Sequence, residues 1–316
     1  MPHDPYQALY IHIPFCASRC VYCDFTTKAV PCDAPEIGSY MENLCLDIRR
    51  LSKEGEFGGL RTIYIGGGTP TYIGSGKLSQ LLYTLSLSIN LEQIEEFTVE
   101  ANPESLTESM VKDIFALGVN RLSMGVQSFD DDLLRTLGRA HDSAGALRAI
   151  RAVRALGYRC VGILGFSAGG NVACNAAVHS DPGNPASPDP LERLSSRPDF
   201  LISCYAVVSF CQYPHVGSVL ALLGDGSDMA RRRYFSAELN VGPDAPPAFI
   251  WHTATDESVP VENSLLLAGA FARQGVPFEL HIYPEGVHGI GLADGNPEAK
   301  DWPRDCARFI RKVCGT

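Results

Sequence analysis

The sequence predicts an α/β protein built from eight βα units with mainly parallel strands. Short β-branched runs alternate with helical patterns from end to end, the pattern that crossover connections between parallel strands produce. The 316 residues are 45% hydrophobic and 20% charged, an ordinary globular composition with length for one large domain or two small ones. Several of the helical stretches also have readable ends.

In chain order the strands are "ALYIHI" (8–13), "TIYIG" (62–66), "EFTVEA" (96–101), "RLSMGV" (121–126), "CVGILG" (160–165), "FLISCYAVV" (200–208), "AFIWHT" (248–253) and "FELHIY" (278–283). Among the helices, Ser105 with Glu108 reads as a capping box and Gly118 as a stop. A later helix carries Leu147, Ile150, Val153 and Leu156 at helical spacing and leads into the fifth strand. The one long irregular stretch, 179–198, is rich in proline and aspartate and reads as a surface excursion or lid; His179 within it is uninformative. No linker or internal repeat separates the halves, and the expected division is 1–160 and 161–316.

A formal charge of −10 and a pI near 5.3, with no basic run, argue against a nucleic-acid partner and for small molecules or proteins. No apolar run approaches the ~20 residues of a membrane span, and "MPHDPYQALY" lacks the basic and apolar regions of a signal peptide. The expected location is cytoplasmic, where stable disulfides are rare and clustered thiols more often bind metal. Of eleven cysteines only Cys16, Cys20 and Cys23 cluster; the other eight read as small buried hydrophobes.

The C-x3-C-x2-C spacing lets three thiolates hold one 4Fe-4S cluster and leaves its fourth iron open. Zinc is the rival, but it usually wants four ligands in a closed structural site, and no nearby His or Cys pair has finger spacing. In "GFSAGG", Gly165, Ser167 and Gly169 form a G-x-S-x-G element between a strand and a helix, where small residues let backbone segments approach a strained nucleophile turn. Asp256 and His288 follow, each just beyond a later strand, in the chain order of an α/β-hydrolase triad. His252 and His281, inside strands, read as structural.

"YIHIPFCASRCVYCDF", "IGGGTPT", "EANPESL" and "NRLSMGVQSFDDDLLRTLGRAH" resemble successive motifs of the radical S-adenosylmethionine enzymes, nearest the oxygen-independent coproporphyrinogen oxidase family and its heme-chaperone branch, over residues 8–141. The resemblance implies that Cys16, Cys20 and Cys23 hold the cluster and that its open iron takes the amino and carboxylate groups of S-adenosylmethionine. It further implies that Tyr10, Gly67, Gly68, Thr69, Glu100, Gln127 and Arg139 contact that cofactor. Heme is a further ligand of the branch, and an electron donor for the cluster is an implied partner. Residues 161–316 resemble the carboxylesterase and acetyl-xylan-esterase-like branch of the α/β-hydrolases through "GILGFSAGGNVA" and "PPAFIWHTATDESVPVENSLLLAGAFARQGVPFELHIYPEGVHGIGL". That implies Ser167 as nucleophile, His288 as base and Asp256 as its orienting carboxylate.

Each half lacks part of its family's scaffold. The hydrolase half begins at the strand that normally comes fifth, without the "HGGG"-type oxyanion loop, so the Ala168 N–H is the one donor it supplies. The radical-enzyme half stops inside its own fifth strand, with Leu164 where a cofactor-contacting aspartate would align. Two architectures are open: one merged eight-stranded sheet, or two half-sheets with exposed edges. Three functions are open as well: a cluster- and S-adenosylmethionine-binding protein, a serine esterase, and an inert fusion.

Overall fold

In the computed structural model, which describes residues 6–315, the chain divides into two units, one up to Tyr158 and one from Arg159. The first contains β1 (Ala8–Ile13), β2 (Phe15–Cys16), β3 (Lys28–Ala29), α1 (Pro35–Lys53), β4 (Thr62–Gly67), α2 (Ser75–Ser88), β5 (Glu96–Ala101), α3 (Glu108–Ala116), β6 (Arg121–Met124), α4 (Asp131–Thr136) and α5 (Ser143–Ala155). Its main sheet has the order β1-β4-β5-β6, every pair parallel. Because side chains alternate along a strand, Ile11, Ile13, Ile63, Ile65, Phe97 and Val99 fall on one face and are buried under α1, α2 and α3. Each such side chain contributes roughly 1.5–3 kcal/mol of burial. The opposite face carries Tyr10, His12, Tyr64 and Glu100. A short β2-β3 ladder, with Cys16 opposite Ala29, brackets the cysteine loop.

The second unit contains β7 (Gly162–Phe166), α6 (Ser167–Val178), β8 (Phe200–Cys204), α7 (Val216–Leu223), α8 (Met229–Tyr234), β9 (Ala248–Thr253), α9 (Glu262–Gln274), β10 (Phe278–Tyr283) and α10 (Trp302–Cys314). Its sheet is also fully parallel, in the order β10-β9-β8-β7, so β7 is an edge strand. All six residues of β9 are buried, as expected of a strand covered on both faces. Leu201, Ala248 and Ile250 pack with α6 and α9, while Ile202, Phe249 and Trp251 pack with Trp302, Cys306 and Phe309 of α10.

The α/β class and the parallel strands are as the sequence predicts, and the eight main strands form two four-stranded sheets rather than one. Three local expectations are corrected. The strand expected over 200–208 ends at Cys204, because Tyr205 takes a φ of 35° that no extended strand accommodates. Ser105 does not cap α3: its hydroxyl donates to the Asn102 carbonyl, and Thr107 caps instead, accepting from the Met110 N–H at 3.2 Å. The reading of eight cysteines as buried hydrophobes holds for Cys45, Cys174, Cys204 and Cys306, whereas Cys211 is half-buried, Cys32 is exposed and Cys160 is joined to Cys314 in a disulfide. Among the described residues no helix is long and apolar enough to cross a membrane.

Candidate functional site

At the carboxyl ends of the first unit's strands lies a cavity of about 280 Å³ lined by Cys16, Cys20, Cys23, Gly67, Gly68, Thr69, Glu100, Gln127 and Arg139, among others. Tyr10 is not among its lining residues: it is 56% exposed, and its hydroxyl hydrogen-bonds His12 Nδ1 at 3.0 Å. Cys16 ends β2, and its Sγ lies 3.6 Å from Thr69 Oγ1; burial pushes this thiol up, against the Thr69 hydrogen bond. Gly68 is required by that approach, since a Cβ there would stand 2.7 Å from the Phe15 carbonyl oxygen and 3.0 Å from Cys16 Sγ.

The glycine run does not offer free N–H donors. Gly67 N–H donates to Glu100 Oε2 at 3.1 Å, Gly68 N–H to the Ile13 carbonyl and Thr69 N–H to the Phe15 carbonyl. What these residues bring to a ligand is close approach of backbone. Glu100 also accepts from the Tyr64 hydroxyl at 2.5 Å, and burial, with that carboxylate beside it, raises the Tyr64 phenol. Gln127 holds a φ of 66°, an unusual conformation for a side-chain-bearing residue, and lines the cavity from there.

Arg139 is buried and donates from Nη1 to Cys20 Sγ at 3.4 Å and from Nη2 to the Gly125 carbonyl at 3.0 Å. Its Nε has no hydrogen-bond partner. Beside it is a pair that the sequence reading passed over: His141 Nδ1 lies 3.0 Å from Glu104 Oε2, and Nε2 lies 2.9 Å from the Val126 carbonyl. Both ring nitrogens thus face acceptors. Burial acts to raise the Glu104 carboxyl, but the His141 hydrogen bond and the Arg139 charge outweigh it and hold the group below its usual range. Both residues stood inside the motifs "EANPESL" and "GRAH", which is the signal that could have found them.

Three soft thiols, a cationic side chain with an unsatisfied buried N–H, and a floor cleared by glycine fit a thiolate-held cluster with an anionic ligand alongside. Among the described residues no three His, Cys, Asp or Glu side chains stand close enough to share one metal ion. A cluster makes a looser demand, because each thiolate meets a different iron.

The second unit brings Ser167, His288 and Asp256 together. Ser167 opens α6 directly after β7 with a φ of 53°, a strained strand-to-helix turn, and is half-buried. Ser167 Oγ is 2.7 Å from His288 Nε2, and His288 Nδ1 is 2.6 Å from Asp256 Oδ2. The carboxylate can only accept, so Nδ1 carries the proton and Nε2 is free to accept from the serine. Asp256 Oδ1 also accepts from the N–H groups of Ser258 and Val259, each at 2.9 Å. Burial would raise this carboxyl, but the His288 and backbone hydrogen bonds prevail and keep it below its usual range. The His288 loop is anchored at both ends: Thr253 Oγ1 donates to the Gly286 carbonyl, and Gly291 donates to the Tyr205 hydroxyl and accepts from Trp302 Nε1.

One glycine expectation is corrected here. A Cβ on Gly165 would stand 2.1 Å from the Gly169 carbonyl oxygen, and one on Gly170 would stand 2.3 Å from Ala206 Cβ, whereas one on Gly169 would meet nothing within 4 Å. The close approaches of the turn are therefore made at Gly165 and Gly170.

A parallel α/β sheet with a three-cysteine loop at its carboxyl edge defines the class of the first unit, and a serine-hydrolase fold with an assembled relay defines that of the second. The radical SAM superfamily profile matches residues 10–168, half of the chain, and the chain belongs to that superfamily. The prolyl oligopeptidase family profile matches residues 224–316, a span that includes Asp256 and His288. The heme chaperone HemW of Haemophilus influenzae is 38% identical over 162 residues, covering 50% of this chain and 42% of that protein. Endo-1,4-beta-xylanase B of Butyrivibrio fibrisolvens is 40% identical over 153 residues, covering 46% of this chain and 24% of that protein. The crystal structure of an acetyl ester-xyloside bifunctional hydrolase from Caldicellulosiruptor lactoaceticus is similar with a TM-score of 0.51 and 43% identity, over 54% of this chain and 63% of that one. The N-terminal half is thus a radical SAM domain with HemW-like relatives, and the C-terminal half is esterase-like. The chain spans about two fifths of the length of the heme chaperones that it matches.

Proposed function

We propose that the first unit binds a 4Fe-4S cluster through Cys16, Cys20 and Cys23 and S-adenosylmethionine beside it, as a radical SAM protein of the heme-chaperone kind. The observation that carries this reading is the convergence of the three thiols with Gly68, Gln127 and Arg139 on one cavity. When bound, such a cluster supplies one-electron reduction of the cofactor's sulfonium. The chain's own residues do the positioning. Arg139, held by Gly125 and Glu104, places positive charge beside Cys20, where it would attract a carboxylate ligand. Glu100 and Gln127 offer polar side chains from the sheet edge, and Tyr10 is proposed as an outer contact. An electron donor and a small molecule or heme are the partners this reading requires, and a cytoplasmic location is proposed with it.

Iron and sulfide content after anaerobic reconstitution tests the reading, beside a Cys16, Cys20 and Cys23 triple alanine variant. Close to four iron per chain is expected, roughly the content of one cubane, and none in the variant. Iron-free protein indistinguishable from the variant would refute it.

A second reading is favoured by the Ser167–His288–Asp256 relay, in which the second unit hydrolyses small acyl esters. Ser167 Oγ attacks the ester carbonyl as its proton passes to His288 Nε2; the imidazole returns that proton to the departing alcohol, and water then releases the acyl group. The Ala168 N–H, in the first turn of α6, is proposed as one donor to the developing oxyanion. A hole short of one donor typically runs ~100 to 1000-fold slower, so modest turnover is expected. Chromogenic acetate ester hydrolysis should fall to the buffer rate in Ser167→Ala, and an unchanged rate would assign the activity elsewhere.

A further inference from the structure

The relay's carboxylate has a second imidazole on it. His252, the fifth residue of β9, is fully buried, with Nε2 3.2 Å from Asp256 Oδ2 and 2.9 Å from the Val259 carbonyl. Its Nδ1 is 2.8 Å from Ser264 Oγ on α9. A carbonyl can only accept, so Nε2 carries the ring proton, and Nδ1 accepts from the serine hydroxyl.

From this geometry we infer that His252 is a positioning residue for the esterase relay: its Nε2–H, donated to the Val259 carbonyl, also lies against Asp256 Oδ2 and helps fix the plane of the carboxylate that orients His288. The inference rests on the esterase reading. Asp256 Oδ1 is secured by the Ser258 and Val259 N–H groups, so the carboxylate is already fixed at one oxygen. Oδ2 accepts from His288 Nδ1 at 2.6 Å and has the His252 Nε2–H 3.2 Å away. Removal of the His252 proton leaves a fully buried oxygen with a single donor, on a loop residue. The carboxylate is then held at Oδ1 and by His288 alone, so its plane, and with it the orientation of His288, is less tightly set. Burial also lowers the His252 imidazole below its usual range, against the pull of Asp256, which favours the neutral ring with one proton to place. The chain Ser264–His252–Asp256–His288–Ser167 thus ties the nucleophile to α9 through two histidines.

The test is kinetic, with an independent spectroscopic arm, on the full chain. His252→Gln keeps an N–H near the Nε2 position; His252→Leu removes it, and His252→Asn places its amide at the Nδ1 position. With active sites titrated by a fluorophosphonate, His252→Leu should lose about ten- to a hundredfold in kcat with KM little changed, the usual worth of one hydrogen bond to a charged acceptor. His252→Gln should recover most of that loss. Equal kcat in wild type and His252→Leu would overturn the inference. Should the leucine variant not fold, His252→Gln outpacing His252→Asn supports the inference, and equal rates for the two overturn it. Long-range nitrogen–proton correlation on histidine-labelled protein reads the tautomer directly. The Nε2–H form supports the inference, and the Nδ1–H form overturns it whatever the kinetics. Wild-type protein inert toward esters would end the esterase reading, while the tautomer would still decide whether His252 can donate to Asp256.

Discussion

Two adjacent glycines at the start of α6 face opposite demands. Gly170 packs against Ala206, where a new methyl would overlap an atom held by backbone, and overpacking of that kind costs about 1–3 kcal/mol. Gly169 has open space at its missing Cβ, and alanine there gains up to about 1 kcal/mol of helix propensity. Gly170→Ala should therefore lower the unfolding midpoint in urea and Gly169→Ala should hold or raise it; the reverse order would mean that α6 does not sit on Ala206 as described. The G-x-S-x-G spacing marked Gly169, yet the tight contact falls one residue later, because α6 presents Gly170 rather than Gly169 to Ala206, just beyond the end of β8.

At the level of elements, β7 is the place where local order and exposure meet. It delivers Ser167 to the relay, yet it is hydrogen-bonded on one side only within its sheet, and Leu164 on it is 48% exposed. Its entry is held by the Asp199 carboxylate, which accepts from the Val161 N–H at 2.8 Å, and by the Cys160–Cys314 bridge to the last residue of α10. A bridge spanning 154 residues of sequence removes much chain entropy from the unfolded state, and losing such a bond typically costs about 2–5 kcal/mol. A Cys160→Ser, Cys314→Ser variant should show that loss in oxidised protein, and dithiothreitol should bring wild type down to the variant's melting temperature. No difference between them would mean that the bridge contributes nothing to stability.

Over the whole molecule, the strand positions and the parallel α/β class were legible because apolar alternation follows directly from burial. Ile11, Ile63 and Val99 could be placed on a core face before any fold was known. The relay residues were legible because a strand end, a nucleophile turn and chain order together constrain them. His252 was not: an imidazole in a buried strand looks the same in sequence whether or not its ring nitrogen reaches a carboxylate four residues on. The Glu104–His141 pair and the Cys160–Cys314 bridge escaped for a similar reason, since each depends on partners 37 and 154 residues apart that only folding brings together. The number of sheets was equally hidden, because pairing between strands is not written in either strand alone.

With the bridge closed, everything from Cys160 to Cys314 is one macrocycle, to which the first unit is joined at Cys160. A protease cut in the exposed 179–198 loop opens that ring without dividing it, so Ser167 and His288, on opposite sides of the cut, remain in one covalent piece until the sulfur bond is reduced.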